Sequence, residues 1–181
     1  MDHTEAIIKL DKIISEDFIY KIIPYIKHTA KDCMTIKNGI DKNERNVKGH
    51  EIFLDTPTKI FYWNLIKKEI EKHYYHYKIK FPFMQSKNLN QVDLLKYSVG
   101  GKYNLHVDSY TTLFRTLSVI INLNDEYEGG DLIFGNQKGK EIKRYKLQKG
   151  SIVFFPSNFL YPHGIEPIIK GTRYSIVAWL R

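Results

Sequence analysis

The sequence predicts an α+β chain in which β dominates, with an antiparallel sandwich or barrel in the second half and helices from the first half on one outer face. Three observations lead there. Residues 91–181 divide into eight short segments of alternating or continuous apolar character, separated by turn residues and with no helical stretch between them. Residues 1–80 instead carry two runs whose apolar positions recur three and four apart. Tyr, Phe and Ile are frequent, and aromatic residues make up 14% of the chain, which suits pleated, half-buried surfaces.

The elements follow in order. AIIKL (6–10) is expected as a short strand. Ser15 has the hydroxyl of an N-cap, with Glu16 and Asp17 in the first turn where the helix dipole favours acids. Phe18, Ile19, Ile22, Ile23 and Ile26 continue at helical spacing, and Pro24 is expected to kink or end that helix. Residues 37–50 read as a polar loop. Thr56 as cap and Pro57 in the first turn open a second helix, in which Ile60, Trp63, Ile66, Ile70, Tyr74 and Tyr77 make one buried stripe. His73 and His76 share that helix; with no third ligand nearby they read as packing and surface residues. The strands are expected at VDLLKYS (92–98), KYNLHVD (102–108), TLSVIINL (116–123), DLIF (131–134), EIKRYKL (141–147), SIVFF (151–155), HGIEPI (163–168) and RYSIVAWL (173–180). Gly100-Gly101, Gly129-Gly130, Gly150 and Gly171 mark bends. No repeat or linker interrupts the chain, so 1–181 reads as a single domain, with 1–90 mainly helical support and 91–181 the core.

Composition narrows the classes. An apolar content of 43% excludes a disordered chain. No apolar run reaches the ~18 residues of a membrane span, and the acidic N-terminus lacks a signal-peptide layout. Cys33 is the sole cysteine, which excludes an internal disulfide and a cysteine-built zinc site and points to a reducing, cytoplasmic setting. The net charge of +8 is spread evenly between the two parts. Only Lys138, Lys140, Lys143, Arg144, Lys146 and Lys149 cluster, with Glu141 alone against them. They read as a solvated hairpin before they read as a contact for RNA or an acidic protein.

The chemistry lies in four residues. On a strand, His106 and Asp108 point to one face. His163 follows 55 residues after Asp108, and a closed barrel can bring its strand beside theirs. Two histidines and one carboxylate on one face of a six-coordinate metal are the ligand set of non-haem Fe(II) oxygenases. Zinc with the same donors is the other option, although zinc hydrolases usually place their histidines on helices. Arg173 comes ten residues beyond His163, across a Gly171-Thr172 turn, and is expected on the adjacent antiparallel strand. Parity puts Arg173, Ser175, Val177 and Trp179 on one face and Tyr174, Ile176, Ala178 and Leu180 on the other. A buried guanidinium requires an anion, either a ligand carboxylate held in a bidentate fork or an ordinary partner such as Glu166.

The segment YSVGGKYNLHVDSY…RTLSVIINLNDEYEGGDLIF…KLQKGSIVFFPSNFLYPHGIEPIIKGTRYSIVAWLR, about residues 93–181, resembles the catalytic core of the Fe(II)/2-oxoglutarate dioxygenases, closest to the prolyl 4-hydroxylase-like branch. The order His-x-Asp, Glu-Gly-Gly, Lys-Gly-Ser, His, Arg carries the likeness. The first half resembles the helical support of small bacterial and phage members. The resemblance implies a double-stranded β-helix (jelly-roll), iron on His106, Asp108 and His163, and Arg173 on the distal carboxylate of 2-oxoglutarate. It places Tyr97 on the co-substrate and Trp179 against its pocket. Asn122 stands where some members carry a tyrosine that helps bind the same carboxylate. It implies O2 as oxidant, ascorbate as reductant, and a hydroxylated C–H bond on a prolyl or other peptidyl residue, or else on a free small molecule or a nucleic-acid-associated substrate. Asp108 favours hydroxylation, since the family's halogenases replace that acid with a small residue. Trp179 stands where the demethylases of alkylated bases carry a second arginine, which disfavours nucleic acid. A non-catalytic metal-binding β-barrel, or a cupin-like protein that binds a sugar or small molecule, is the alternative of another class.

Overall fold

A computed structural model of the chain describes residues 3–34, 39–86, 88–110 and 113–181. Among the described residues, two helices and fourteen strands follow a 3₁₀ turn at His3–Ala6. The first half holds β1 (Ile8–Leu10), α1 (Glu16–Thr29), β2 (Asp32–Cys33), β3 (Arg45–Asn46), β4 (Lys48–Glu51) and α2 (Pro57–Lys80). Then come β5 (Leu89–Tyr97), β6 (Lys102–His106), β7 (Leu117–Asn122), β8 (Tyr127–Gly129) and β9 (Leu132–Gly135). The chain closes with β10 (Glu141–Tyr145), β11 (Ser151–Pro156), β12 (His163–Ile165), β13 (Ile168–Gly171) and β14 (Arg173–Leu180).

Both helices start at the expected hydroxyls. Ser15 Oγ accepts from the Phe18 N–H and Thr56 Oγ1 from the Lys59 N–H, each at 3.3 Å. Pro24 neither ends nor interrupts α1, which runs on to Thr29. Pro24 is exposed, so the Tyr20 carbonyl that loses its helical partner lies on the solvent side, where water can replace the bond. In α2 the buried face is Ile66, Ile70, Tyr74 and Tyr77, with Trp63 half-buried. Ile60 departs from the expected stripe and is 42% exposed. The first turns of α2 contact α1 through Tyr62, stacked on Tyr25 at 3.7 Å, and Tyr62 lies on the opposite side of the helix from Ile60. His73 is buried beside Glu69, with Nε2 3.1 Å from Oε1, and His76 is exposed.

Two antiparallel sheets face each other as a jelly-roll. The larger has the order β1-β11-β7-β14-β5-β4-β2, the smaller β10-β9-β12-β6-β3, and β8 and β13 pair as a separate ribbon. From β5 onward the chain passes repeatedly between the sheets, as a double-stranded β-helix requires. Three departures from the sequence reading matter for the site. The polar stretch 37–50 contains β3 and most of β4, which extend the smaller and larger sheets (residues 37 and 38 lie outside the described residues). HGIEPI divides at Glu166-Pro167 into β12 and β13, because proline has no N–H to continue the ladder. As a result His163 and Arg173 are not on adjacent strands: β12 lies in the smaller sheet and β14 in the middle of the larger one.

Parity along β14 places apolar residues on both sides. Ile176, Ala178 and Leu180 join Val92, Leu94, Val119, Ile121 and Phe154 in a layer under the helices, where Ile22, Ile26, Ile66 and Ile70 cover them. The opposite faces contribute Leu95, Tyr97, Ile120, Val153 and Phe155 to a second layer between the sheets. Ile70 is 1% exposed in the first layer. Ile70→Ala is expected to cost ~2–5 kcal/mol in urea unfolding while leaving the metal affinity of the folded protein unchanged.

Candidate functional site

His106, Asp108 and His163 meet between the sheets because β12 pairs with β6 and sets His163 directly opposite His106. Asp108 lies beyond the end of β6, in the bend that follows, and reaches back from there. One ligand atom from each of the three falls within 4.8 Å of the others. His106 Nε2 is 3.5 Å from Asp108 Oδ1, and His163 Nε2 is 3.4 Å from Asp108 Oδ2. Among the described residues this is the single such group of metal-ligating side chains.

The surroundings fix the donor atoms. His106 Nδ1 donates to the Asn104 carbonyl at 2.9 Å and His163 Nδ1 to the Tyr161 carbonyl at 3.1 Å. A carbonyl only accepts, so each ring carries a proton on Nδ1 and turns its Nε2 toward Asp108. Phe155 packs edge-on against His163 at 4.6 Å. Burial pushes the His163 imidazole down to about 4, against the pull of Asp108. Burial alone would raise the Asp108 carboxyl; His163 and His106 beside it, and the hydroxyl of Ser118, hold it well below the usual carboxylate range instead. With the Asp108 carboxyl ionised and the His163 imidazole neutral at neutral pH, the set offers imidazole nitrogens and one carboxylate, which fits a divalent iron. Ser118 Oγ donates to Asp108 Oδ2 at 2.6 Å and is itself 2.8 Å from Ser157 Oγ.

Arg173 is 1% exposed and lines the same pocket, with Tyr97 and Trp179 among its other walls. Its Nε donates to Asn122 Oδ1 at 2.9 Å, and its guanidinium lies 5.2 Å from the centre of the Tyr97 ring. Burial raises the Tyr97 phenol, against the pull of the Arg173 cation beside it. Arg173 Nη2 is buried with no hydrogen-bond partner among the described residues. Glu166 is not its partner, since that carboxylate is held by Arg144 at 3.0 Å. A cation buried this deeply with a free N–H fork suits the carboxylate of a bound anion. Asn122 is fully buried beside Arg173. Its amide N–H groups donate to the carbonyls of Asn124, Leu147 and Gln148, and its Oδ1 accepts from Arg173, so it orients the guanidinium. Asn122→Ala is expected to weaken 2-oxoglutarate binding less than loss of Arg173 does, by ~10-fold or about 1.4 kcal/mol, in a co-substrate titration.

The pocket also has walls that the sequence reading missed. Arg45, from β3, and Tyr103 both line it. Arg115 stacks on Trp179 at 3.6 Å. Tyr103 and His106 would point to opposite faces of a regular strand. Opposite them, however, the two-residue step from His163 to Ile165 spans three residues of β6, and this bulge turns both rings inward. Gly164 allows it, since a Cβ there would sit 2.7 Å from the Tyr103 carbonyl oxygen. The basic hairpin is more neutral than its sequence suggests. Arg144 is held by Asp131, Glu141 and Glu166, and Lys149 reaches Glu16 at 2.6 Å.

Comparison with known proteins bears on this arrangement. A family model described as the 2OG-Fe(II) oxygenase superfamily matches residues 92–181. A PKHD-type hydroxylase of Thermosynechococcus vestitus is 36% identical over 107 residues, 55% of this chain and 46% of the relative. The chain spans under half the length of the curated relatives it matches. The crystal structure of a Pseudomonas putida prolyl-4-hydroxylase superposes with a TM-score of 0.78 over 97% of this chain and 92% of that one, at 16% identity. A prolyl hydroxylase from Trichoplax adhaerens, in complex with a hypoxia inducible factor oxygen degradation domain peptide fragment, gives 0.76 over 98% and 84%, also at 16% identity.

Proposed function

This chain belongs to the 2OG-Fe(II) oxygenase superfamily through residues 92–181, and on that premise we propose that it hydroxylates a C–H bond, with His106, Asp108 and His163 as iron ligands and Arg173 as the anchor of 2-oxoglutarate. One observation carries the reading: the three residues of the triad and Arg173, whose Nη2 is unpartnered among the described residues, line one pocket. Bound iron and 2-oxoglutarate would supply oxidation of the substrate by O2, giving a hydroxyl group on the substrate, succinate and CO2.

The chain's own residues hold and orient. Ser118 fixes the rotamer of Asp108 so that one carboxylate oxygen stays turned toward the imidazoles. The Asn104 and Tyr161 carbonyls accept from Nδ1 of the two rings, which leaves Nε2 as the atom each ring can offer a metal. Asn122 Oδ1 holds Nε of the Arg173 guanidinium, the Tyr97 ring lies beside it, and Ile120, Ile165 and Val177 keep water from the rest of the pocket wall. Trp179, backed by Arg115, closes the same chamber. The substrate we infer is a prolyl or other peptidyl residue. It is supported by the PKHD-type hydroxylase names of the relatives and by the peptide bound to the Trichoplax enzyme. Incubation with Fe(II), 2-oxoglutarate, ascorbate and a library of proline-containing peptides is expected to give succinate together with peptides that have gained one oxygen, read by mass spectrometry. Succinate formation with hydroxylation of free metabolites and of no peptide would replace the peptidyl substrate by a small molecule.

A further inference from the structure

The triad and Arg173 leave one buried ion pair unexplained. Arg45 Nη2 lies 3.7 Å from Asp93 Oδ2. Asp93 is on β5, and Arg45 comes from β3, in the first half and outside the family match. Both side chains are nearly inaccessible, at 11% and 3% exposure. A buried ion pair contributes little net stability relative to apolar residues of the same volume, so stability alone gives little reason for placing this one beside the pocket.

Its contacts lead to the metal donors. The Arg45 guanidinium lies 4.7 Å from the centre of the Tyr103 ring. Tyr103 in turn is stacked on the His106 imidazole, 3.5 Å between centres and 15° between planes. On the other side, Asp93 Oδ1 accepts from Gln91 Nε2 at 3.0 Å, Gln91 Oε1 accepts from Arg115, and Arg115 Nη1 donates to the Asp108 carbonyl at 3.3 Å. The path thus begins at one candidate ligand and ends at another. His106 depends on it more than His163 would. His163 is packed by Phe155 and Phe134, whereas the His106 side chain keeps 18% exposure, against 5% for His163. The hydrogen bond from Nδ1 fixes one direction of the His106 ring, and the face of Tyr103 sets its plane.

We propose that Arg45, held by Asp93, is a positioning residue that fixes the His106 imidazole through Tyr103, so that a strand of the first half sets the metal affinity of the second. This rests on the metal-binding reading of the triad, and the experiment separates the two. Co(II) is titrated into wild type, His106→Ala, Arg45→Leu, Arg45→Lys and the double variant Arg45→Leu/Asp93→Leu, recording affinity, the visible Co(II) spectrum and the melting temperature without metal. His106→Ala is expected to lose Co(II) binding. Arg45→Leu is expected to bind Co(II) ~10- to 100-fold more weakly, the range for loss of an outer partner of a ligand, with an altered spectrum. Arg45→Lys, which keeps the cation over the ring but not its plane, is expected to fall between. The double variant removes the unpaired buried charge and is expected to recover the melting temperature but not the affinity or the spectrum. Recovery of all three in the double variant would overturn the positioning role and leave a structural one. So would wild-type affinity and spectrum in Arg45→Leu and Arg45→Lys beside a His106→Ala protein that does not bind. Wild-type affinity in His106→Ala would overturn the metal reading and this proposal with it.

Discussion

Arg173→Ala is expected to weaken 2-oxoglutarate binding by ~30-fold to several-thousand-fold while iron affinity stays near wild type. The range follows from truncating one member of a buried charge-assisted pair, ~2–5 kcal/mol, at about 1.4 kcal/mol per tenfold. The upper part of the range is favoured by the surroundings. Arg173 is 1% exposed, its Nε is already committed to Asn122, and Nη2 has no partner among the described residues. A carboxylate left in this pocket without Arg173 would keep the desolvation cost and lose its counter-charge. Arg173→Lys is expected to recover part of the loss, because the charge remains while the fork and the Asn122 contact do not survive together. The check is a titration of 2-oxoglutarate into the Fe(II)-loaded proteins, followed by charge-transfer absorption. Equal affinity in wild type and both variants would remove Arg173 from the co-substrate site.

Asp108→Ala and His106→Ala are each expected to abolish Fe(II)-dependent conversion of 2-oxoglutarate to succinate and to lower metal affinity by more than the ~10- to 100-fold typical of an outer partner. Asp108 is the one carboxylate of the set, and among the described residues no other acid belongs to the cluster. The fold is expected to survive. Ser118 Oγ, which would lose the Asp108 carboxylate, keeps Ser157 at 2.8 Å. Removing a buried carboxylate also removes its desolvation cost in the metal-free protein. Metal that binds the native state alone raises the melting temperature, so the rise that Mn(II) gives in wild type is expected to vanish in both variants. A wild-type rise in either one would show that the donor lies elsewhere.

The lining of the pocket was legible in the sequence from the chemistry of the residues and, along β14, from strand alternation; Asp108 reaches it from the bend after β6 and not from the strand. His106, Asp108, His163 and Arg173 all line the pocket, and Arg173, Val177 and Trp179 share the predicted face of β14. Alternation reads a face only while the register runs unbroken. The bulge in β6 turned Tyr103 inward, against the parity that would set it opposite His106, so its contact with His106 had no signal in the spacing. Arg45 was hidden for another reason. β3 lies at the edge of its sheet and pairs with β6 alone, so the strand needs no apolar side chains and reads as loop. The neutralisation of Arg144 was also out of reach, because Asp131 and Glu166 lie 13 and 22 residues away in sequence, at the ends of β9 and β12. The adjacency expected for His163 and Arg173 failed at Pro167, where the chain leaves the smaller sheet, yet the pocket between the sheets still brings both residues to its walls.

The most direct test of the shared pocket is a crystal structure grown with Mn(II) and 2-oxoglutarate, with the metal located by anomalous scattering. The expected result is a single strong peak bonded by Nε2 of His106, Nε2 of His163 and a carboxylate oxygen of Asp108, with the far carboxylate of 2-oxoglutarate on the Arg173 guanidinium. A metal bound away from these three side chains, or a 2-oxoglutarate whose far carboxylate does not reach Arg173, would contradict it.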